Sequence, residues 1–201
     1  MIRVVVADDQ QLVRGALAAL LALEDDLDVV AEVGRGDEVV SAVMENTADV
    51  ALIDVEMPGM DGLAATEAVR AAAPQCRVLV VTTFGRPGYL RRAMAAGAAG
   101  FLVKDAPADQ LADAIRRVHA GERVVDPALA LESLAMGDSP LTDRERDVLL
   151  AARSGATVAS IAQTVHLSEG TVRNYLSSAI AKTGARTRAE AVRICEDRGW
   201  L

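Results

Sequence analysis

The chain has 201 residues, enough for one large domain or two small ones. Hydrophobic residues make up 51% and aromatic residues only 2%, so Val, Leu, Ile and Ala must build the core. No apolar run approaches the roughly 18 residues that span a bilayer, so we expect no membrane insertion. The two cysteines, Cys76 and Cys195, lie far apart and lack metal-ligand spacing, which favours a reducing cytoplasmic location.

Charge is unevenly distributed along the chain. The net charge of −8 comes entirely from residues 1–130, because residues 131–201 contain nine acidic and nine basic side chains. In this neutral part, Arg173, Lys182, Arg186 and Arg188 lie close together in the sequence. A neutral domain with a local basic face can still bind a polyanion such as DNA.

The first 125 residues alternate between two kinds of pattern. Short apolar runs predict strands at 2–7, 27–33, 50–54, 78–82 and 100–103. Helical spacing of apolar residues predicts helices at 10–23, 38–45, 64–73, 89–95 and 111–119. Strict alternation predicts an α/β domain, a flavodoxin-like doubly wound five-stranded parallel sheet, although alternation alone does not determine the strand order.

The pattern changes after residue 125. Residues 126–139 lack strong periodicity and predict a linker, and residues 140–201 contain no strand pattern and predict a small all-α domain. Thr142 and Glu145 have the spacing of a capping box at a helix start. A short helix at 157–165, a turn ending at Ser168 and a longer helix at 169–183 predict a helix-turn-helix, followed by a helix at 188–198. An ordinary helical hairpin is the alternative that spacing alone leaves open.

Polar residues follow four of the predicted strands. Asp8 and Asp9 end the first strand, Asp54 the third, Thr82 the fourth and Lys104 the fifth. Because the carboxyl ends of parallel strands meet at one edge of a sheet, we expect these side chains to lie close together. Neighbouring carboxylates repel, and an oxygen-only ligand set favours Mg²⁺ as the neutralising cation. The set suits transfer of a phosphoryl group to Asp54 as the nucleophile.

Each of these residues also has a simpler interpretation when it is taken singly. Asp8 and Asp9 suit a helix N-cap, Asp54 suits a turn before Pro58, and Lys104 suits an exposed surface. Their shared position at strand ends favours a common site.

The order and spacing of Asp8, Asp9, Asp54, Thr82, Phe101 and Lys104 resemble the receiver domains of two-component response regulators. Residues 141–149 (LTDRERDVL) and 168–175 (SEGTVRNY) resemble the LuxR-type DNA-binding domain of the NarL/FixJ subfamily. The resemblance covers essentially the whole chain. Segments 82–89 and 171–175 are most similar to regulators paired with a membrane-fluidity-sensing kinase.

The resemblance implies roles in the receiver. Asp54 would accept a phosphoryl group from a sensor histidine kinase, and Thr82 and Lys104 would contact the phosphoryl oxygens. Phe101 stands where the family has an aromatic switch residue, often Tyr, with simple core packing as the alternative. The implied Mg²⁺ ligands are Asp8, Asp9, Asp54 and the backbone carbonyl of Glu56.

The resemblance also implies DNA contacts from the longer helix of the helix-turn-helix. The residues concerned are Thr171, Arg173, Asn174, Ser177 and Lys182. Two positions depart from the family pattern, since Tyr175 stands where His is common and Ser178 where Asn is frequent.

We therefore expect a response regulator in which phosphorylation favours a homodimer that binds double-stranded DNA and regulates transcription. The dimer face is either the fourth strand with the following helix and Phe101, or the helix that carries Leu12, Val13 and Leu17. Membrane-lipid desaturation genes are an expected target, and RNA polymerase is a further expected partner. We expect no enzymatic activity beyond the receiver's own phosphoryl transfer and hydrolysis.

Two other classes of protein compete with this interpretation. One is a transcription regulator that works without phosphorylation, and the other is a metal-dependent aspartyl phosphotransferase.

Overall fold

The computed structural model describes residues 1–83, 87–135 and 139–201. The chain divides into two compact units, with residues from Leu131 onward in the second and most of the preceding residues in the first. Residues 84–86, in the segment similar to the membrane-fluidity regulators, and residues 136–138, in the predicted linker, lie outside the described residues. No helix in the described ranges is long and apolar enough to cross a membrane.

A parallel sheet forms the centre of the first unit, with strand order β2-β1-β3-β4-β5-β6. Its strands are β1 Ile2–Ala7, β2 Leu27–Val33, β3 Val50–Ile53, β4 Arg77–Thr82, β5 Gly100–Val103 and β6 Val124–Val125. The predicted doubly wound α/β fold is confirmed, and the first five strands have the flavodoxin-like order. The sixth strand was not predicted, because two residues are too few to show a period.

Helices connect the strands of this sheet. They are α1 Gln11–Leu21, α2 Val39–Glu45, α3 Gly62–Ala72, α4 Pro87–Ala95 and α5 Ala108–His119, with a 3-10 turn at Gly36–Glu38 before α2. All four residues of β3 are buried, which requires cover on both faces of the sheet. Cys76, just before β4, is also buried, and burial raises the pKa of its thiol to about 12.

One face of α1 is apolar but exposed. Leu12 is 87% exposed, and Leu20 and Leu23 are exposed as well. The residues between them on this face are Gly15, Ala16 and Ala19, which are also exposed. The five residues within α1 are spaced by three and four positions and so lie on one side of the helix, and Leu23 follows in the turn after it. We refer to these six residues as the α1 face.

The segment predicted as a linker is largely helical. Helix α6 spans Pro127–Ala135, and the Asp126 carboxylate accepts hydrogen bonds from the backbone amides of Ala128 at 2.7 Å and Leu129 at 3.0 Å. An Asp N-cap followed by Pro at the first helical position is a recognised helix start, so a sequence signal for α6 was present.

The second unit is a helical domain, as predicted. Its further helices are α7 Asp143–Ala152, α8 Val158–Thr164, α9 Glu169–Thr183 and α10 Arg188–Asp197. Their core includes Leu149, Ile161, Val172, Cys195 and Trp200. Burial raises the pKa of the Cys195 thiol to about 11. The predicted capping box is present, with the Glu145 amide donating to Thr142 Oγ1 and the Thr142 amide donating to the Glu145 carboxylate.

Candidate functional site

The strand ends of the sheet bring two buried carboxylates together around Lys104. Asp8 follows β1 and Asp54 follows β3, and these residues are 1% and 4% exposed. The Lys104 Nζ atom, just after β5, lies 2.7 Å from Asp8 Oδ2 and 2.8 Å from Asp54 Oδ2. Backbone amides fix both acids, since Gln10 donates to Asp8 Oδ1 at 2.9 Å and Val55 donates to Asp54 Oδ1 at 2.7 Å.

Burial and charge act against each other at this cluster. Burial raises the pKa of Asp54, the Lys104 ammonium lowers it, and the Asp8 charge raises it again, with a net rise. Burial alone would lower the pKa of Lys104, but its hydrogen bonds to Asp54 and Asp8 and their charges outweigh burial and raise it. Lys104 is therefore held as a cation between the two carboxyl groups.

A third carboxylate makes the cluster suitable for a divalent cation. Asp8, Asp9 and Asp54 each offer a carboxylate oxygen, and these atoms lie within 4.8 Å of one another, with Asp9 exposed to solvent. One lysine cannot neutralise three carboxylates, and a set of oxygen donors open on one side is what Mg²⁺ prefers. The donor set fits the predicted ion. Glu56, whose backbone carbonyl is the fourth predicted ligand, lies two residues after Asp54 with an exposed side chain.

Thr82 and Phe101 lie side by side in the sheet. Thr82 ends β4 and is buried, and its backbone carbonyl accepts a hydrogen bond from the Lys104 amide at 2.8 Å. Phe101 is completely buried on β5, opposite Val80, and Thr82 is opposite Val103. Because side chains alternate along a strand, Thr82 and Phe101 point to the same face of the sheet, one pleat apart. This placement suits the predicted coupling between the two residues.

The edge of the sheet that carries Asp8, Asp9 and Asp54 is called the acidic edge below. Two residues that the sequence analysis did not identify, Arg14 and Gly62, contact this edge. The Arg14 guanidinium donates to the Asp8 backbone carbonyl at 2.6 Å, which supports the loop after β1. A Cβ atom added at Gly62 would lie 1.7 Å from the Asp54 backbone oxygen, so only glycine fits beside the loop that carries Asp54. A glycine shortly after a strand-end aspartate is a weak sequence signal for such a close approach. No sequence signal predicts the contact of Arg14 with the Asp8 carbonyl.

In the second unit, a tight turn joins α8 to α9. His166 adopts a left-handed conformation with φ of 54°, and the Leu167 amide donates to the Ala162 carbonyl at 3.0 Å. Ser168 Oγ then accepts a hydrogen bond from the Thr171 amide at 3.1 Å and caps α9. The predicted helix-turn-helix and its N-cap are thus present.

The outer side of α9 presents most of the residues predicted to contact DNA. Arg173, Asn174 and Ser177 are exposed, and Thr171 is half-buried with its hydroxyl 2.8 Å from Ser168 Oγ. Arg173 forms an ion pair with Glu169 at 2.6 Å, but both side chains are at least half exposed, so the pair costs little to break.

Two other cations of the predicted basic cluster are engaged within the domain. The Lys182 Nζ atom lies 2.7 Å from the carboxylate of Glu145, and the Arg188 guanidinium donates to the Ala156 carbonyl at 2.8 Å. The sequence interpretation recognised Glu145 as part of a helix cap but not its contact with α9, because no local pattern marks a partner 37 residues away.

Comparisons with known proteins cover both units. The family of response regulator receiver domains matches residues 4–116, and the family of bacterial regulatory proteins of the luxR type matches residues 139–195. The first match spans more than half of the chain and includes the acidic edge. This chain is a two-component response regulator of the NarL/FixJ type. It is therefore a transcription regulator with a LuxR-type DNA-binding domain.

Similarity to individual response regulators extends over the full length. The chain is 42% identical over 201 residues to the transcriptional regulatory protein DesR of Bacillus subtilis, covering all of both proteins. It resembles the crystal structure of ChrA, from a heme-sensing two-component system, with 32% identity and a TM-score of 0.59, covering 100% of this chain and 98% of ChrA. The RcsB–DNA complex, at 22% identity, TM-score 0.69 and 98% coverage of both chains, shows a similar fold.

Proposed function

We propose that this response regulator is switched by phosphorylation of Asp54. The observation that carries the proposal is the Lys104 ammonium, which bridges Asp54 and Asp8 at 2.8 and 2.7 Å. A phosphoryl group on Asp54 would place three more oxygen acceptors beside the same cation. A carboxylate next to a fixed ammonium supports the role of phosphoryl acceptor.

In the proposed reaction, a carboxylate oxygen of Asp54 attacks the phosphorus of a phosphohistidine on a sensor kinase. The phosphorus–nitrogen bond breaks, the imidazole nitrogen keeps the electron pair, and an acyl phosphate forms on Asp54. Lys104 and the Thr82 hydroxyl bind the phosphoryl oxygens, and hydrolysis later restores the carboxylate. Asp8, Asp9, Asp54 and the backbone carbonyl of Glu56 would hold Mg²⁺, which would supply further positive charge beside the phosphoryl group.

The proposed output is a homodimer on DNA. Movement of Thr82 toward the phosphoryl group would alter the packing next to Phe101, and the altered receiver would pair with a second copy. The exposed α1 face supports the helix named in the second of the two dimer faces considered from the sequence, because contiguous exposed apolar residues mark association sites. Of the three residues named for that face, only Leu12 belongs to it, since Val13 is half-buried and Leu17 packs against the core. In such a dimer, the two α9 helices would contact DNA half-sites that lie about one helical turn apart.

The first experiment is the intact mass of the full chain after incubation with acetyl phosphate and Mg²⁺. We expect the wild type to gain one phosphoryl group, and the gain to disappear in Asp54→Asn and after removal of Mg²⁺ by EDTA. Asp105→Ala is the matched control, because Asp105 is an exposed aspartate beside Lys104 that lies outside the acidic cluster. An equal mass gain in Asp54→Asn, or no gain with any phosphodonor, would contradict the proposal.

The competing classes predict different results in two further measurements, DNA binding and repeated phosphoryl transfer. A regulator that works without phosphorylation would bind DNA equally well as wild type and as Asp54→Asn. An aspartyl phosphotransferase would pass the phosphoryl group to a further acceptor over many turnovers, whereas we expect this receiver to catalyse only its own phosphorylation and dephosphorylation.

The resemblance of segments 82–89 and 171–175 to regulators paired with a membrane-fluidity-sensing kinase supports a proposal for the target as well. We propose that the phosphorylated protein acts in the cytoplasm on membrane-lipid desaturation genes, together with RNA polymerase. Sequencing of the genomic fragments that the phosphorylated chain retains tests this target. Recovery of unrelated promoters alone would reject it.

A further inference from the structure

The carboxylate of Glu145 lies at the junction of α7 and α9. The residue is 4% exposed although it carries a charge. Its Oε2 atom accepts hydrogen bonds from the Thr142 amide at 2.7 Å and from Lys182 Nζ at 2.7 Å, and its Oε1 atom accepts one from Ser178 Oγ at 2.6 Å. Three donors from two helix segments thus converge on one side chain.

The carboxylate remains ionised in this position. Burial alone would raise the pKa of Glu145, but the hydrogen bonds from Lys182, Ser178 and Thr142 lower it to about 2. An ionised and almost fully buried carboxylate must keep these partners, because leaving it unpaired carries a large desolvation cost. The contact is therefore more rigid than an exposed ion pair.

The two partners on α9 are one helical turn apart. Ser178 and Lys182 are separated by four residues and so lie along the same edge of the helix. Fixing two points on one edge determines both the position of α9 along α7 and its rotation about its own axis. That rotation decides how Asn174 and Ser177, which can contact base edges, are presented on the exposed side.

We propose that Glu145 is a positioning residue for DNA recognition, and that Lys182 holds α9 in place instead of giving its charge to a DNA phosphate. This assignment replaces the role in DNA contact that the family resemblance implies for Lys182. The proposal rests on DNA binding by this domain and specifies which residues set its sequence selectivity.

Salt dependence separates the two roles of Lys182. A lysine that neutralises one phosphate contributes about 0.9 to the slope of log affinity against log salt concentration, whatever the DNA sequence. A lysine that only positions the helix contributes nothing to this slope but affects contacts with base edges. Its loss would lower the affinity for the preferred sequence and leave binding to unrelated DNA unchanged.

The experiment uses the full chain and two DNA probes. The first probe is a duplex selected from a random library with the wild-type protein, and the second is poly(dI-dC). Affinities are measured between about 50 and 200 mM salt, the range over which phosphate contacts dominate the change. The variants are Lys182→Met, which keeps the length of the side chain, and Glu145→Gln, which keeps a hydrogen-bonding residue suited to the capping box. Circular dichroism establishes that each variant is folded.

We expect Lys182→Met to bind the selected duplex about tenfold more weakly, roughly the contribution of one base contact, with an unchanged salt slope. Affinity for poly(dI-dC) should stay within about twofold. Glu145→Gln should lose a similar factor on the selected duplex without a loss on poly(dI-dC). The double variant should lose about tenfold and not the hundredfold product, because residues that act through one contact are not additive.

Arg173→Met is the matched control. Arg173 is an exposed cation on the same helix, so we expect this variant to reduce the salt slope by about 0.9 and to weaken binding to both probes. Comparing the salt slopes of Arg173→Met and Lys182→Met shows how large a change one phosphate contact of α9 produces in this protein.

Four results would overturn the proposal. A salt slope reduced by about one in Lys182→Met would make Lys182 a phosphate contact. Equal losses on both probes for Glu145→Gln, or full additivity in the double variant, would leave Glu145 a role in stability alone. A wild type that prefers no duplex over poly(dI-dC) would reject sequence-specific DNA binding itself, and this inference with it.

Discussion

Lys104 is the residue that links the two buried carboxylates at the acidic edge. Its ammonium compensates part of the charge of Asp8 and Asp54, and it also lies 2.8 Å from the carboxylate of Asp54, beside any group attached there. A single side chain thus stabilises the resting cluster and is in place for the phosphorylated one. The cost of burying Asp54 is visible in its raised pKa, which Lys104 lowers but does not cancel.

The close contact of Gly62 predicts that adding a single methyl group there, as in Gly62→Ala, destabilises the fold. In Gly62→Ala the new Cβ would lie 1.7 Å from the Asp54 backbone oxygen and 2.7 Å from its carbonyl carbon, and backbone atoms cannot move aside cheaply. We expect the free energy of unfolding to fall by about 3 kcal/mol or more, as in other overpacked sites. Urea denaturation of the unphosphorylated chain measures the change.

The control for this prediction is Gly15→Ala on α1. An added Cβ there meets no atom within 4 Å, so the unfolding free energy should rise by about 0.5–1 kcal/mol, because alanine favours a helix over glycine. Wild-type stability in Gly62→Ala would contradict the close approach of α3 to the loop that carries Asp54.

At the scale of elements, the contact between α7 and α9 predicts that the second unit loses stability in acid. The pKa of Glu145 is lowered from an ordinary 4.5 to about 2 in the folded chain. Its ionised form therefore stabilises the second unit fully above about pH 4.5, and this contribution is lost as the pH falls toward 2. We expect the stability of the second unit to decline over that interval.

Fluorescence of Trp200, which packs in the core of the second unit, follows this decline during urea unfolding at several pH values. Glu145→Gln should have lower stability near neutral pH and a weaker dependence on pH below 4.5. Glu169→Gln changes an exposed carboxylate in the first turn of α9, where charges contribute little to stability, and its pH profile should stay close to that of the wild type. Identical pH profiles for wild type and Glu145→Gln would show that the buried contact contributes nothing.

Most elements could be predicted from sequence because their patterns are local. The apolar runs of β1, β3 and β4 end in Asp8, Asp54 and Thr82, and a parallel sheet necessarily brings such ends to one edge. The predicted bounds of helix α9 agree with the structure at both ends, since Ser168 caps one end and Gly184 adopts the left-handed conformation at the other.

Each feature that the sequence analysis did not predict was missed for a physical reason. Strand β6 has two residues and exists only because it pairs with Gly100 and Phe101. Helix α6 begins at an Asp–Pro pair that also suits a linker. The contact between Glu145 and Lys182 joins positions 37 residues apart, and no single-sequence pattern encodes such a distance.

At the scale of the molecule, the distribution of charge separates the two units. Residues 1–130 hold the entire net charge of −8, and the DNA-binding part is neutral. Attraction to DNA therefore has to come from the local arrangement of a few cations on the second unit, and it is not a property of the net charge.

Association through the α1 face is testable on the full chain. Leu12→Lys places a charge at the most exposed leucine of this face, so we expect the dimer fraction of the phosphorylated protein to fall about tenfold or more, while the mass gain at Asp54 is retained. Sedimentation velocity measures the fraction. Met44→Lys is the control, because Met44 is an exposed apolar residue on α2 and its change should leave the dimer intact. An unaffected dimer in Leu12→Lys would point instead to the face formed by β4, α4 and Phe101.

The two cysteines have a practical consequence. Cys76 and Cys195 are buried, and the raised pKa of each thiol keeps it protonated near neutral pH, so neither presents a thiolate to a maleimide reagent. The natural chain is therefore expected not to react with a maleimide dye. One cysteine introduced at an exposed position such as Ala181 would be labelled alone, and the dye would report on α9 as it meets DNA without any native residue having to be removed.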